Sequence, residues 1–108
     1  MRAPIYSLLG LLICAGTAVA TPVEHIGSWV LHTGGPKVLE ATQVALGLPN
    51  GALEVSWNCL RRTGNLSSAS VLFVLEEVMN NRRPLPGTWG LLAALGPGFC
   101  SELVLLRW

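Results

Sequence analysis

The fold is decided by residues 29–40, which read Trp-Val-Leu-His-Thr-Gly-Gly-Pro-Lys-Val-Leu-Glu. The apolar run over residues 26–31 predicts a short buried strand that ends at His32. The Thr-Gly-Gly that follows predicts a tight turn. Pro36 then opens an amphipathic segment, because proline is tolerated at the first position of a helix. The sequence therefore predicts a strand, a glycine-rich turn and a helix. His32 lies at the carboxyl end of the strand, where an imidazole facing a crevice is well placed for chemistry.

Beyond this turn, the spacing of apolar residues predicts three helices and then two strands. The helices cover residues 36–46 with Gly47 as C-terminal cap, the segment from an N-cap at Asn50 to Gly64, and the segment from Ser67 or Ser68 to residue 83. The strands cover residues 89–95 and 99–108. We expect the third helix to be deeply buried, because it carries a wide apolar stripe: Val71, Leu72, Leu75, Val78 and Met79. The order β-α-α-α-β-β indicates an α/β fold.

Composition restricts the function. The 108 residues are 51% apolar and 12% charged, which fits one packed domain at most, and the net charge of +1 gives no electrostatic case for nucleic-acid binding. The sequence contains no Asp, which excludes a Ser-His-Asp triad within the chain. Cys14, Cys59 and Cys100 share no CxxC or zinc spacing, so we interpret them as reduced thiols in a cytoplasmic protein without a metal site. We expect the four tryptophans to belong to the core.

Residues 1–22 stand apart from the rest of the chain. Arg2 precedes an apolar run over residues 8–15, and Ala-Val-Ala at residues 18–20 has the small-x-small pattern of a secretory signal. The segment is too short for a comfortable membrane span. Two interpretations stay open: a signal peptide, which would make the protein secreted, and an artefact of the chain's start. We assign the folded domain to residues 23–108.

Three motifs follow one another in the chain: His-Thr-Gly-Gly-Pro-Lys-Val-Leu from His32, Gly-Asn-Leu-Ser-Ser-Ala-Ser-Val-Leu-Phe-Val-Leu-Glu-Glu from Gly64, and Trp-Gly-Leu-Leu-Ala-Ala-Leu-Gly-Pro-Gly-Phe from Trp89. Together they closely resemble the end of type III polyketide synthases, the chalcone and stilbene synthase family, and its bacterial branch in particular. The resemblance covers residues 23–108. Ketoacyl carrier-protein synthases share a similar His and Gly-Asn but lack the Gly-Gly-Pro, so they rank second.

The resemblance implies a thiolase-like fold, of which this chain would hold the C-terminal part of the second half. It also implies an acyltransferase that works as a homodimer. Such an enzyme loads an acyl group from coenzyme A onto a cysteine, decarboxylates malonyl-CoA and condenses the product onto the acyl group. Acyl-CoA and malonyl-CoA would be the substrates, and no metal or redox cofactor is required.

Carried over by motif, His32 and Asn65 match the family's catalytic His and Asn. Decarboxylation of a malonyl thioester places negative charge on its carbonyl oxygen, and an imidazole N–H and a carboxamide N–H would stabilise that enolate. The resemblance also implies substrate-binding residues: Ser67 in the cavity wall, Gly96, Pro97 and Gly98 in the loop that shapes the cavity, and Gly34, Gly35 and Lys37 beside the coenzyme A arm.

The family's nucleophilic cysteine lies far upstream of these motifs, and no residue of this chain matches it. We interpret Cys59 as a packed thiol. A Cys100–His32 dyad would be a new arrangement, and Asn65 has the alternative of being a helix cap. We expect the chain alone to be inactive. Two classes stay open: an acyltransferase whose activity belongs to a longer parent, and a non-catalytic thiolase-fold remnant or interaction module.

The resemblance also predicts the sheet, whose strand order in the family is 3-2-1-4-5. The strand before His32 would be the third, and the last two strands would be the fourth and fifth. We therefore expect a gap beside the His32 strand, so that the sheet is split or this strand has moved next to the other two. Unpaired backbone groups at such a gap would leave the chain marginally stable, sticky or unfolded.

Overall fold

The structure is a computed structural model that describes residues 23–108, and within this range it has three helices and three strands. In chain order these are β1 (Ile26–Leu31), α1 (Pro36–Leu46), α2 (Glu54–Thr63), α3 (Ser70–Asn81), β2 (Trp89–Gly96) and β3 (Cys100–Arg107), with short 3-10 turns at Val23–His25, Ser67–Ala69 and Pro97–Phe99. The predicted order β-α-α-α-β-β is confirmed. The signal-like segment lies outside the described residues.

The three strands form one continuous sheet in the order β1-β2-β3. β1 runs parallel to β2, with Leu31 opposite Ala93, and β2 pairs antiparallel with β3 down to Gly96 opposite Cys100. Of the two arrangements expected for the His32 strand, the second is therefore observed: the sheet is not split, and β1 lies directly beside β2. The backbone of β1 bonds directly to β2, up to His32, whose N–H donates to the carbonyl of Ala93 at 2.9 Å. The predicted instability therefore no longer follows from unpaired backbone groups between β1 and β2, because these groups are hydrogen-bonded.

The sheet is covered by helices on both faces, because successive residues of a strand point to opposite sides. On one face Trp29, Leu31 and Leu91 pack with Leu39 of α1 and with Leu53, just before α2. A second cluster lies on the other face and joins Val30 of β1 to residues of α2 and α3: Cys59, Val74 and Val78. This layered arrangement is that of an α/β domain, as predicted. Fully burying one such aliphatic side chain contributes about 1.5–3 kcal/mol.

The tryptophans behave as core residues to different degrees. Trp29 is 6% exposed, whereas Trp57 and Trp89 are partly buried against the first cluster and Trp108 against the second. Cys59 is 1% exposed, so its interpretation as a packed thiol is confirmed.

Helix α3 is less deeply buried than its apolar stripe predicts. Val74 and Val78 are buried, but Leu72 is 61% exposed and Met79 43% exposed. The helix packs on the sheet with one narrow face, and the side that carries Leu72 and Met79 points away from the layers that the structure describes. None of the helices between residues 23 and 108 is both long and apolar enough to cross a membrane.

The ends of the helices follow the predicted caps in some places and not in others. Gly47 ends α1 as predicted, in the left-handed conformation and with its N–H bonded to the carbonyl of Val44. Asn50 does not cap α2, which begins at Glu54 after a turn; the Asn50 carboxamide instead accepts a hydrogen bond from Gln43 at 3.3 Å. The predicted start of α3 at Ser67 or Ser68 is also displaced.

That displacement has a local cause. Residues 67–69 form a 3-10 turn, and α3 begins at Ser70. The Ser70 hydroxyl is buried and accepts the N–H of Leu66 at 2.6 Å, so the chain is already tied back before the α-helical bonds begin.

Trp108 links the first strand to the segment before β2 by hydrogen bonds. The Trp108 indole N–H donates to the Ser28 hydroxyl at 2.8 Å, across the central strand. Its backbone is held as well, because its carbonyl accepts the N–H of Gly87 at 2.5 Å and its N–H donates to the carbonyl of Thr88 at 3.1 Å. Gly90 lies directly beneath the Trp108–Ser28 hydrogen bond. A Cβ at that position would collide with the Ser28 hydroxyl and stand 2.7 Å from the indole nitrogen.

We therefore expect Gly90→Ala to lower the free energy of unfolding by about 1–3 kcal/mol, the cost of forcing extra volume into a packed site. Urea denaturation followed by tryptophan fluorescence measures the change. Gly27→Ala is the matched control, because its added Cβ would lie at an ordinary 3.6 Å from the Trp89 carbonyl. It should change stability by no more than about 0.5 kcal/mol. Equal effects of the two substitutions would contradict this account of Gly90.

Candidate active site

A cleft of about 530 Å³ opens at the edge of the sheet where the parallel strands β1 and β2 both end. Clefts of α/β sheets form at the carboxyl ends of the strands, where loops diverge. The loop before α3 forms one wall, and the β2–β3 hairpin forms the other. The lining residues are His32, Asn65, Ser67, Ser68, Val71, Ala94, Leu95, Gly96, Pro97, Cys100 and Glu102.

His32 reaches the cleft because the chain turns sharply just after it. Its N–H is the last bond to β2, and its carbonyl accepts the N–H of Gly34 at 2.9 Å, which closes a tight turn. Gly35 then has φ 145° and ψ 166°, in a region that favours glycine. This conformation sends the chain away into α1 and leaves the half-buried imidazole at the cleft wall.

Asn65 is held in the cleft lining by hydrogen bonds at both ends of its carboxamide. Its Oδ1 accepts the N–H of Ser67 at 2.9 Å, and its Nδ2 donates to the carbonyl of Gly34 at 3.5 Å, a long hydrogen bond. These bonds fix the orientation of the carboxamide, and Nδ2 carries a second N–H that Gly34 does not use. Asn65 does not cap α3, whose N-cap is Ala69. Ser67 itself has φ 60°, an uncommon conformation for a residue with a side chain.

The loops that carry the two residues are joined at a second point. Thr33, directly after His32, is 1% exposed, and its hydroxyl donates to the carbonyl of Gly64 at 3.4 Å. Together with the bond from Asn65 to Gly34, this ties the loop after β1 to the loop after α2. The imidazole and the carboxamide therefore line one cleft with linked backbones.

This arrangement suits the stabilisation of a developing negative charge. An imidazole and a carboxamide each present N–H donors, and donors held in advance cost no reorganisation when charge appears on a carbonyl oxygen. Residues 23–108 contain no group of three or more His, Cys, Asp or Glu side chains placed to hold a metal ion.

The remaining predicted site residues fall into two groups. Ser67, Gly96 and Pro97 line the cleft with His32 and Asn65. Gly98 continues the same turn but is not part of the lining. Gly34, Gly35 and Lys37 do not line the cleft either: the two glycines belong to the turn behind His32, and Lys37 lies exposed on the first turn of α1.

Sequence reasoning missed several lining residues, above all Ala94 and Glu102. Both could have been found from the alternation of strand residues once the register was known. Ala94 lies opposite Glu102 in the hairpin, and Ala93 lies opposite Leu31. Ala94 therefore lies opposite His32 on the neighbouring strand. Its small side chain leaves room between the imidazole and the Glu102 carboxylate. The register itself was not readable from the sequence.

Cys100 lines the same cleft and is exposed. The register nevertheless separates it from His32. Neighbouring strands lie about 4.8 Å apart, and Cys100 is two strands across and two residues along from the position opposite His32, so their Cα atoms are roughly 12 Å apart. This separation argues against a direct Cys100–His32 dyad, which requires hydrogen-bond contact.

Comparison with known proteins agrees with the motifs. The family described as "Chalcone and stilbene synthases, C-terminal domain" matches residues 22–108. A 1,3,6,8-tetrahydroxynaphthalene synthase of Streptomyces peucetius subsp. caesius is 64% identical over 85 residues, which are 79% of this chain and 22% of that enzyme. A 3,5-dihydroxyphenylacetyl-CoA synthase of Amycolatopsis orientalis is 41% identical over 85 residues, with 79% and 23% covered. The chain thus spans under a quarter of the length of these relatives.

Solved structures agree as well. PKS-I from the brown alga Ectocarpus siliculosus superposes with a TM-score of 0.80 at 28% identity, covering 98% of this chain and 29% of that one. The 1,3,6,8-tetrahydroxynaphthalene synthase of Streptomyces coelicolor A3(2), a bacterial type III polyketide synthase, superposes with a TM-score of 0.77 at 28% identity, covering 99% and 31%. The expected thiolase-like α/β fold is confirmed. The chain belongs to the chalcone and stilbene synthase family of type III polyketide synthases, and it carries that family's C-terminal domain.

Proposed function

We propose that this chain supplies the enolate-stabilising donors of a type III polyketide synthase, with His32 and Asn65 acting on a coenzyme A thioester in the cleft. The observation that supports this proposal is the position of the two side chains in one cleft, with their loops tied together through Thr33, Gly34 and Gly64. Acyl transfer needs donors near one carbonyl oxygen, and linked loops keep such donors at a constant separation.

The proposed reaction begins with a malonyl thioester whose carbonyl oxygen lies between the two side chains. Loss of carbon dioxide leaves the electron pair of the broken C–C bond in an enolate, whose oxygen receives the N–H groups of His32 and Asn65. The enolate carbon then attacks the carbonyl of an acyl group held as a thioester on a cysteine, and the cysteine thiolate leaves. The product is a β-ketoacyl thioester of coenzyme A, longer by two carbons.

The nucleophilic cysteine of this scheme belongs to another part of the synthase. Cys59 is buried in the core, and Cys100 is two strands away from His32. The relatives are more than four times the length over which this chain matches them, so we propose that the remainder of such a synthase provides the thiol. The homodimeric state of the whole enzyme is part of the same proposal.

The coenzyme A arm has a proposed path over the start of α1. The helix begins at Pro36, and its first N–H groups form a positive end that favours anionic groups. Lys37 is exposed on this first turn and adds a positive charge. The glycines Gly34 and Gly35 present backbone without side chains beside it. This path leads past the His32 turn toward the cleft.

A chimaeric synthase tests the proposed roles. The C-terminal region of the Streptomyces peucetius synthase is replaced by residues 23–108, and formation of 1,3,6,8-tetrahydroxynaphthalene from malonyl-CoA is measured. We expect the chimaera to be active. His32→Ala and Asn65→Ala should each lower kcat by about 10²–10³, the effect of removing one donor to a developing oxyanion.

Gln43→Ala is the control variant, because the Gln43 side chain bonds to Asn50 in an exposed position and Gln43 is not part of the cleft lining. It should leave kcat unchanged. A folded chimaera that is inactive, or one whose kcat does not respond to His32→Ala, would refute the proposed roles and favour a non-catalytic interaction module.

The 108-residue protein by itself gives a second prediction. Because it lacks the family's nucleophile, it cannot hold an acyl group for condensation, so it should form no condensed polyketide from malonyl-CoA above the level of a buffer blank, as measured with labelled malonyl-CoA and chromatography of the products. Bovine serum albumin at equal concentration controls for non-specific thiol and amine chemistry. A condensed product whose formation disappears in both His32→Ala and Cys100→Ser would contradict this prediction and support a working Cys100.

A further inference from the structure

The buried serine of α2 makes an unusual pair of hydrogen bonds. Ser56 is 0% exposed and faces the outer edge of β1. Its hydroxyl donates to the carbonyl of Leu31 at 2.9 Å and accepts the N–H of the same residue at 3.3 Å. One side chain thus satisfies both backbone groups of Leu31, which directly precedes His32.

The direction of these groups explains why a side chain is needed. The N–H of His32 bonds to β2, and backbone groups of successive strand residues point to opposite edges, so those of Leu31 point away from the sheet. A buried N–H or carbonyl without a partner is costly. Ser56 takes the place that a residue of a neighbouring strand would occupy.

The same helix also leads into the second candidate residue, Asn65. Helix α2 ends at Thr63, and Gly64 leads directly to Asn65. The other contacts between α2 and β1 include the apolar packing of Cys59 near Val30, which does not fix a position along the strand. The two bonds of Ser56 do fix it, because a shift of α2 by one residue along β1 would break both.

We propose that Ser56 is a positioning residue: it holds the end of β1 against α2 and thereby sets the position of His32 relative to Asn65. The effect of Ser56 on catalysis rests on the proposed function of His32 and Asn65. The effect of Ser56 on the positions of these two residues does not depend on that function. Ser56 lies outside the cleft lining and acts through the backbone of Leu31.

The test uses NMR of the 108-residue protein, so it needs no enzymatic activity and its outcome is independent of the proposed function. In Ser56→Ala, we expect the Leu31 amide to exchange with solvent about tenfold faster or more, in keeping with a buried group left unpaired. The His32 ring protons and the Asn65 side-chain amide protons should shift. Ser56→Thr keeps the hydroxyl and should restore both sets of signals.

Val78→Ala is the matched control, because Val78 is 3% exposed in the second core cluster and makes no contribution to the cleft lining. It should lower global stability without moving the His32 and Asn65 signals. If Ser56→Ala leaves those signals where Val78→Ala leaves them, or if Ser56→Thr does not restore them, the proposal is wrong. Should Ser56→Ala not fold, Ser56→Cys, with a weaker donor of similar size, must show the same displacement in the same residues.

Discussion

The parallel pairing of β1 with β2 sets the position of every other feature of the structure. A parallel pair cannot be joined by a tight turn, so the chain between the strands must cross over through helices. Here that crossover consists of α1, α2 and α3, which cover both faces of the sheet. Because parallel strands end at the same edge, the crossover also brings His32 and the β2–β3 hairpin to one cleft.

The loops that line the cleft are tied to one another by hydrogen bonds. The turn after His32 is bonded to the segment after α2 through Thr33 and through the Asn65 carboxamide, and Ser70 holds the backbone of Leu66 from the other side. Each of these bonds joins a side-chain hydroxyl or amide to a backbone group that lies outside the helices and strands. The polar side chains near the cleft therefore replace the bonds that helices and strands supply elsewhere.

Membership of the chalcone and stilbene synthase family agrees with the groups that the described residues place around the cleft. The part of the chain with described structure provides two N–H donors, a hairpin wall and an α-helical start beside them, while both of its thiols lie away from His32. Glu102 adds a carboxylate to the wall opposite His32, across the small side chain of Ala94. Donors held in this way suit the proposed stabilisation of charge on a thioester oxygen.

Local chemistry in the sequence determined the elements and most of the site. Apolar periodicity located β1, α1 and the hairpin, and the three motifs identified the family with His32 and Asn65 as its candidate donors. Tertiary structure alone decided which strands are neighbours, since pairing depends on contacts far apart in the chain and placed β1 directly beside β2. It also decided which apolar side chains are buried: Leu72 stays exposed because α3 meets the sheet with only one face. The role of Ser56 was invisible in sequence for the same reason, because a hydroxyl acquires its partners only when α2 packs against the edge of β1.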